Sequence, residues 1–366
     1  MAESHFAVGP HFADLRPMHP ATEESPFPVY PDLVDALLTA GAPDDVVRHV
    51  LAVCAGYAYG DERTVTMMMT RLGLPLSRCV MVREVVDAMF IYSTAYIVQS
   101  ADGRVVIVCF RGTEPANLIN WLTDLDIGPD QVRYDLEAGA GDERYRVHAG
   151  FYRNVRATRF AVIEVLQQAL RGEAISAGPA APGAGPALLP MERLFLTGHS
   201  LGAAMAALMT VMLRVKPIYA PIAEKLAATY TYGQPMIGTP EFARACSRAT
   251  FGGHTTPLES MLFRYVYAAD LVPQVPPRLS GTFAHFGTEF RCERLDPDVG
   301  PPRWTEPGRP TGQTNLPGLL LGGAALLTRS IRYLGNLPLR QSIVDHGPQN
   351  YIAALTPPHV RSEFGD

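Results

Sequence analysis

The residue types that could do covalent chemistry converge on one short stretch, Gly198-His199-Ser200-Leu201-Gly202. A serine hydroxyl is a poor nucleophile at neutral pH, and it becomes a good one when a neighbouring base takes its proton and a third group orients that base. The pattern G-x-S-x-G suits such a serine. Glycine on either side lets a strand and a helix approach closely enough to hold the serine on a sharp, strained turn. Ser200 then stands at a helix N-terminus, where the backbone amide of Leu201 points at the place a tetrahedral oxyanion would form.

The flanking residues supply the two elements that such a turn needs. Leu194, Phe195 and Leu196 read as a strand buried on both faces, and Leu201 to Leu213 as an apolar, buried helix. A base and an acid must come from other loops. Asp270 falls at the C-terminal end of the strand candidate Arg264 to Ala269, at the sheet edge where chemistry gathers in open α/β folds. It could orient a histidine and stabilise its charged form. His346, in VDHGPQNYIAAL, lies in a Gly/Pro loop from which an imidazole can reach back across the strand ends. The order Ser, Asp, His is that of α/β-hydrolases and not of the two main serine-protease folds.

His285, in the β-like run TFAHFGTEFRC, competes for the base but reads as a structural histidine close after Asp270. His199 is the variable residue of the motif and is expected to point away from the nucleophile. A second oxyanion donor is offered by Thr113, in Arg111-Gly112-Thr113-Glu114 just after the strand Arg104 to Phe110, through its N–H or its hydroxyl.

These positions require a mostly parallel central sheet flanked by helices. A helix is expected from the Asp44-Asp45 cap through VVRHVLAVCAGYAYG, and strands around Cys79 to Arg83, Ala88 to Gln99 and Arg104 to Phe110, the last two joined at an Asp102-Gly103 turn. Leu118, Trp121, Leu122 and Leu125 fall at i, i+3, i+4 and i+7, the spacing of a short amphipathic helix. A longer helix is expected over Tyr152 to Leu170, and a further strand over Ala227 to Tyr232, one crossover after the nucleophile strand.

Residues 1–31, rich in Pro and His, read as an extended arm, and 32–366 as a single catalytic domain. Gly172 to Pro190 is an Ala/Pro/Gly excursion too poor in packing groups to be an element, and an apolar insertion covers 315–340. The 366 residues, 47% hydrophobic and 18% charged, can bury a sizeable core. A net charge of −5 without a basic cluster argues against nucleic acid as a partner. Five widely spaced cysteines, odd in number and without C-x-x-C, argue against a disulfide framework or a zinc site. No apolar run reaches the roughly 20 residues of a membrane span. No basic-then-apolar leader is visible either, so a cytoplasmic location is the default expectation, with signal-less export or peripheral membrane association left open.

Taken together, VVIVCFRGTE with INWLTDLD, then VHAGFY, LFLTGHSLGAA, YTYGQPMIGTPEF, RYVYAADLVPQVPP with AHFGTEF, and DHGPQNYI make the chain resemble the class 3 lipases. These are the α/β-hydrolase family that includes the secreted fungal triacylglycerol lipases. The matching pieces run in family order over about residues 45–355. The resemblance implies an α/β-hydrolase fold with a lid and insertions. It implies Ser200 as nucleophile, Asp270 as orienting acid and His346 as base. Thr113 and the Leu201 amide would form the oxyanion hole, and Glu114 to Ile127, with Leu118, Trp121 and Leu122, the lid over the substrate. It further implies hydrolysis of carboxylic esters of lipids through an acyl-enzyme at a lipid–water interface, with no metal or organic cofactor. Carboxylesterase or phospholipase A1 activity stands as the alternative substrate reading. A catalytically idle lipid-binding protein of the same fold is the reading from another class. The chain departs from the secreted fungal members in three respects: it lacks a visible leader and disulfides, its 172–190 connection is longer, and it carries the extra apolar segment.

Overall fold

The computed structural model describes residues 27–86, 91–113, 129–133, 144–178, 188–248, 256–276, 278, 281–293, 303–306, 311–313, 344–357 and 360. Leu118, Trp121 and Leu122, the 315–340 insertion and most of the N-terminal arm lie outside the described residues.

The strand Val105–Phe110 shows why the sheet is central: all six of its residues are buried. Successive side chains point to opposite faces. Val106, Val108 and Phe110 enter one core cluster, while Val105, Ile107 and Cys109 enter a second. Ten strands are described in chain order: β1 Arg78–Val86, β2 Ile91–Gln99, β3 Val105–Phe110, β4 Pro129–Arg133, β5 Arg144–His148, β6 Arg193–His199, β7 Leu226–Tyr232, β8 Leu262–Tyr267, β9 Thr288–Cys292 and β10 Trp304–Thr305. Eight of them form one sheet in the order β1-β2-β3-β6-β7-β8-β9-β10, and β4 and β5 form a separate ribbon. From β3 to β9 the neighbours are parallel; β1, β2 and β10 are added antiparallel at the edges.

The helices are α1 Leu33–Thr39, α2 Asp45–Tyr57, α3 Glu62–Leu72, α4 Ala149–Leu170, α5 Leu201–Val215, α6 Ala220–Ala223, α7 Pro240–Arg248 and α8 Pro348–Leu355. On one face, α4 and α5 bury Val162, Leu166, Met205 and Leu208 against Val106, Leu194 and Leu196. On the other, α2, α3 and α8 cover an aromatic layer of Tyr96, Phe195, Tyr230, Tyr265 and Phe290. Asp44 caps α2 as expected, accepting the N–H groups of Val46 (2.9 Å) and Val47 (3.0 Å). That satisfies two amides that the first helical turn cannot pair internally.

Differences from the sequence reading are local. The first two strands reach further, to Arg78–Val86, and start later, at Ile91. The long helix begins at Ala149, directly from β5. His285 does not lie on a strand: the sheet segment of that run starts at Thr288, and the preceding residues form a loop bridged to Gly238 through Ala284. The cause is Gly287, whose φ of +85° turns the chain just before the strand. All five cysteines are free. Among the described residues no single helix is long and apolar enough to cross a membrane.

Candidate active site

Ser200 sits between the C-terminal end of β6 and the first residue of α5, with φ +61° and ψ −128°. An L-residue in that region is strained, and this is the geometry that a nucleophile elbow imposes. The two motif glycines are required by space. A Cβ on Gly198 would lie 2.4 Å from the Gly202 carbonyl, and one on Gly202 only 2.0 Å from the Phe110 oxygen, so no other residue lets α5 pass this close to β6 and β3. The Ser200 N–H donates to the Tyr232 carbonyl at 3.0 Å, which ties the elbow to the end of β7. Leu201 opens the helix, where backbone N–H groups have no intrahelical acceptor.

His346 ends a short 3₁₀ turn, Val344–His346, ahead of α8. Its Nδ1 donates to Oδ2 of Asp270 at 2.8 Å, with both side chains buried. With the proton on Nδ1, the neutral ring presents a lone pair at Nε2. Asp270 is held from several sides: Oδ1 accepts the Val272 N–H at 2.8 Å, and Oδ2 also accepts the Tyr351 hydroxyl at 2.5 Å. Tyr351 in turn accepts the Tyr267 N–H at 3.2 Å. Burial, then the Asp270 charge, pushes the Tyr351 phenol well above its ordinary range, so it is a neutral donor. Gly233, at φ +58°, forms the floor of the pair: a Cβ there would lie 2.8 Å from the imidazole and 2.9 Å from the carboxylate.

Several buried polar atoms in this region have no hydrogen-bond partner among the described residues, Oγ of Ser200 and Nε2 of His346 among them, together with the Gln234 amide and Nδ1 of His285. Orphaned buried polar atoms are costly, and they gather where chemistry is done. The Arg111–Thr113 strap leaves β3 against the same elbow. Arg111 N–H bonds Thr94 O at 2.9 Å, and a Cβ on Gly112 would fall 2.6 Å from the His199 carbonyl. Thr113 follows, half-buried. The structure thus brings Ser200, Leu201, Asp270, His346 and the Thr113 strap to one end of the parallel strands.

Three further side chains shape this site: Tyr351, which the sequence did not mark, His199, to which it gave no role, and His285, which it marked as structural. Tyr351, on α8, reaches Asp270 across 81 positions of chain. His199, expected to point away from the nucleophile, packs its ring against that of the base. Its Nε2 meets the His346 carbonyl at 2.6 Å, and its Nδ1 meets the Tyr59 hydroxyl at 2.8 Å. His285, the competing base, is bonded through Nε2 to the Pro273 carbonyl at 2.7 Å, and burial, then the Arg264 charge, lowers it to about 3. It braces the loop that follows Asp270. The only signal for Tyr351 in the sequence was its place in DHGPQNY, a helical turn after the histidine.

The sheet order and the elbow are those of the α/β-hydrolase fold. Residues 107–280, just under half of the chain, match the family model described as lipase (class 3). A triacylglycerol lipase of Ricinus communis is 29% identical over 229 residues, covering 55% of this chain and 40% of the relative. A secreted mono- and diacylglycerol lipase of Fusarium solani is 27% identical over 198 residues, covering 54% and 46%. The chain therefore spans less than half the length of these curated relatives. Among solved structures, the lipase of Rhizopus microsporus var. chinensis superposes with a TM-score of 0.51 at 18% identity, covering 87% of this chain and 91% of that one. The native Rhizomucor miehei lipase propeptide complex gives 0.50 at 18%, covering 87% and 80%. At that identity both speak to the fold.

Proposed function

We propose that the protein is a serine hydrolase of lipid carboxylic esters, triacylglycerols first, working through an acyl-enzyme on Ser200. What carries the reading is the pairing of a strained elbow serine, whose buried Oγ has no partner among the described residues, with a histidine whose Nδ1 is tied to a buried carboxylate and whose Nε2 likewise has none among them. Nε2 of His346 takes the Ser200 proton as Oγ attacks the ester carbonyl. The resulting imidazolium is stabilised by Asp270, and the oxyanion by the Leu201 amide and Thr113. His346 then gives the proton to the leaving alcohol, and water repeats the cycle on the acyl-enzyme. The named relatives, lipases for tri-, di- and monoacylglycerols, support acylglycerols as the substrate class.

The segment carrying Leu118, Trp121 and Leu122 is proposed as the cover that opens at a lipid surface. The test is hydrolysis of emulsified triacylglycerols, phospholipids and soluble short-chain esters by the parent and by Ser200→Ala, Asp270→Asn and His346→Ala. Loss in all three variants with preference for acylglycerols supports the reading. A preference for phospholipids or soluble esters moves it to a phospholipase or carboxylesterase, and a folded parent without any hydrolysis makes it an idle binding protein.

A further inference from the structure

We infer that His199 is a positioning residue for the base: its single Nε2–H holds the His346 backbone, while Tyr59 fixes the tautomer that makes this possible. The inference rests on the catalytic reading above for its kinetic arm. The geometry leaves little choice of proton. A backbone carbonyl only accepts, so at 2.6 Å the His199 Nε2 must be the donor to His346 O. Nδ1 of a neutral ring is then an acceptor, and the Tyr59 hydroxyl at 2.8 Å is the donor to it.

His199 is 2% exposed and its ring lies over that of His346, centroids 4.4 Å apart and tilted by 31°. Burial, then the charge of His346, keeps His199 far below its ordinary range, so it stays neutral. That neutrality matters to its partner. When His346 carries a proton in the reaction, a neutral ring stacked on it adds no like charge, whereas a cation there would oppose the step.

The same chain of bonds reaches the oxyanion side. A Cβ on Gly112 would land 2.1 Å from the Tyr59 hydroxyl and 2.6 Å from the His199 carbonyl. Tyr59 and His199 therefore pack directly on the strap that leads to Thr113. One hydrogen-bonded row, Tyr59–His199–His346, fixes the spacing between the strap and the base, with Ser200 between them in the chain. Misplacing a reacting group by about 1 Å can cost on the order of a hundredfold in rate. This gives the motif's variable position a reason to be histidine: the ring must donate at one end and accept at the other, in a slot closed on both sides.

The experiment compares His199→Gln, which keeps an N–H donor, with His199→Phe, which keeps an aromatic ring but no donor, and with Tyr59→Phe. Each is checked for folding by its thermal transition. Kinetics are read on a soluble short-chain ester. In parallel, the far-downfield proton resonance of the His346 Nδ1–H···Asp270 bond is followed, assigned by its loss in Asp270→Asn. The expected result is a loss of kcat of roughly ten- to a hundredfold in His199→Phe with KM within about twofold. The resonance should broaden or shift in that variant. His199→Gln should recover most of the activity and the resonance, and Tyr59→Phe should lose roughly two- to tenfold in kcat, the scale of one hydrogen bond. A folded His199→Phe with parental kcat and an unchanged resonance overturns the inference, as does a His199→Gln as impaired as His199→Phe. Should the folded parent hydrolyse nothing, the catalytic reading fails by itself, and the resonance still decides the positioning claim. If His199→Phe does not fold, Tyr59→Phe decides it: parental kcat and resonance there refute the row.

Discussion

Replacing Ser200 by glycine should make the protein more stable than replacing it by alanine, which reverses the usual ranking at a helix. In an ordinary helical position glycine is worse than alanine by roughly 0.5–1 kcal/mol, because the unfolded chain gains freedom. Ser200 has φ +61° and ψ −128°, a region where a Cβ is strained. Such strain costs of order 1–3 kcal/mol per residue, and the entropy glycine adds to the unfolded state offsets about 0.4–1 kcal/mol of its relief. Alanine keeps the Cβ and the strain, and glycine sheds it, so Ser200→Gly should exceed Ser200→Ala by on the order of 1 kcal/mol. Both variants lose the buried Oγ equally, so its desolvation cancels in the comparison. The assay is urea unfolding of both variants, with equal m-values required before midpoints are compared. A midpoint for Ser200→Ala equal to or above that of Ser200→Gly would refute the elbow geometry. Both should be inactive, so this stability gain is one that selection for function cannot use.

Other outcomes follow from the same geometry. Tyr351→Phe removes one of the donors to buried Asp270. It should cost about 1.5–3 kcal/mol of stability, as expected for a hydrogen bond to a charged group, and lower kcat more than it raises KM; a variant with parental midpoint and kcat would contradict the role given to the phenol. Acid should destabilise the fold early. Burial holds His148 and His285 near 3, so in the unfolded chain they take up protons below about 6.5 while the folded chain does not. Their contribution is present above pH 6.5 and is lost as pH falls toward 3, by up to about 1.4 kcal/mol per unit for each histidine. Glu289 adds to this lower down: burial favours its neutral form, but the Arg264 charge and the Thr311 N–H and hydroxyl outweigh that and hold it at about 2. Its stabilisation is therefore lost only below its ordinary range near 4.5. Urea midpoints that stay flat from pH 7 to pH 5 would show that these histidines are not buried and neutral. Activity on a short-chain ester should rise once the substrate exceeds its solubility, and the rise should shrink in Trp121→Ala, since each large apolar side chain moved from water into lipid gains roughly 1.5–3 kcal/mol; no rise in either protein would remove the lid from the account.

How far the site was legible in the sequence depended on how local its signals are. The elbow could be read directly, because Gly198, Ser200 and Gly202 encode their own backbone requirement within five residues. Asp270 and His346 were legible as loop residues at strand ends and as parts of motifs, although their contact spans 76 positions. The supporting side chains were not. Tyr59 reaches His199 across 140 positions and His199 reaches the His346 carbonyl across 147, and no periodicity records such a contact. His285 misled because TFAHFGTEFRC is rich in β-formers while Gly287 breaks the extended conformation inside it. The short helices α1, α3 and α7 were not marked: α1 buries only Leu33 and Leu37 and α7 packs beside β5, whereas α3 does bury Val65, Met68, Met69 and Leu72 at helical spacing.

The most direct test of the central claim is covalent labelling with a fluorophosphonate, which needs nucleophile, base and oxyanion donors at once. The labelled protein is digested and the modified residue located by mass spectrometry. The account predicts about one label per chain, on Ser200, absent in Ser200→Ala and strongly slowed in His346→Ala. A folded parent that takes up no label, or one labelled as fast in Ser200→Ala, would contradict it.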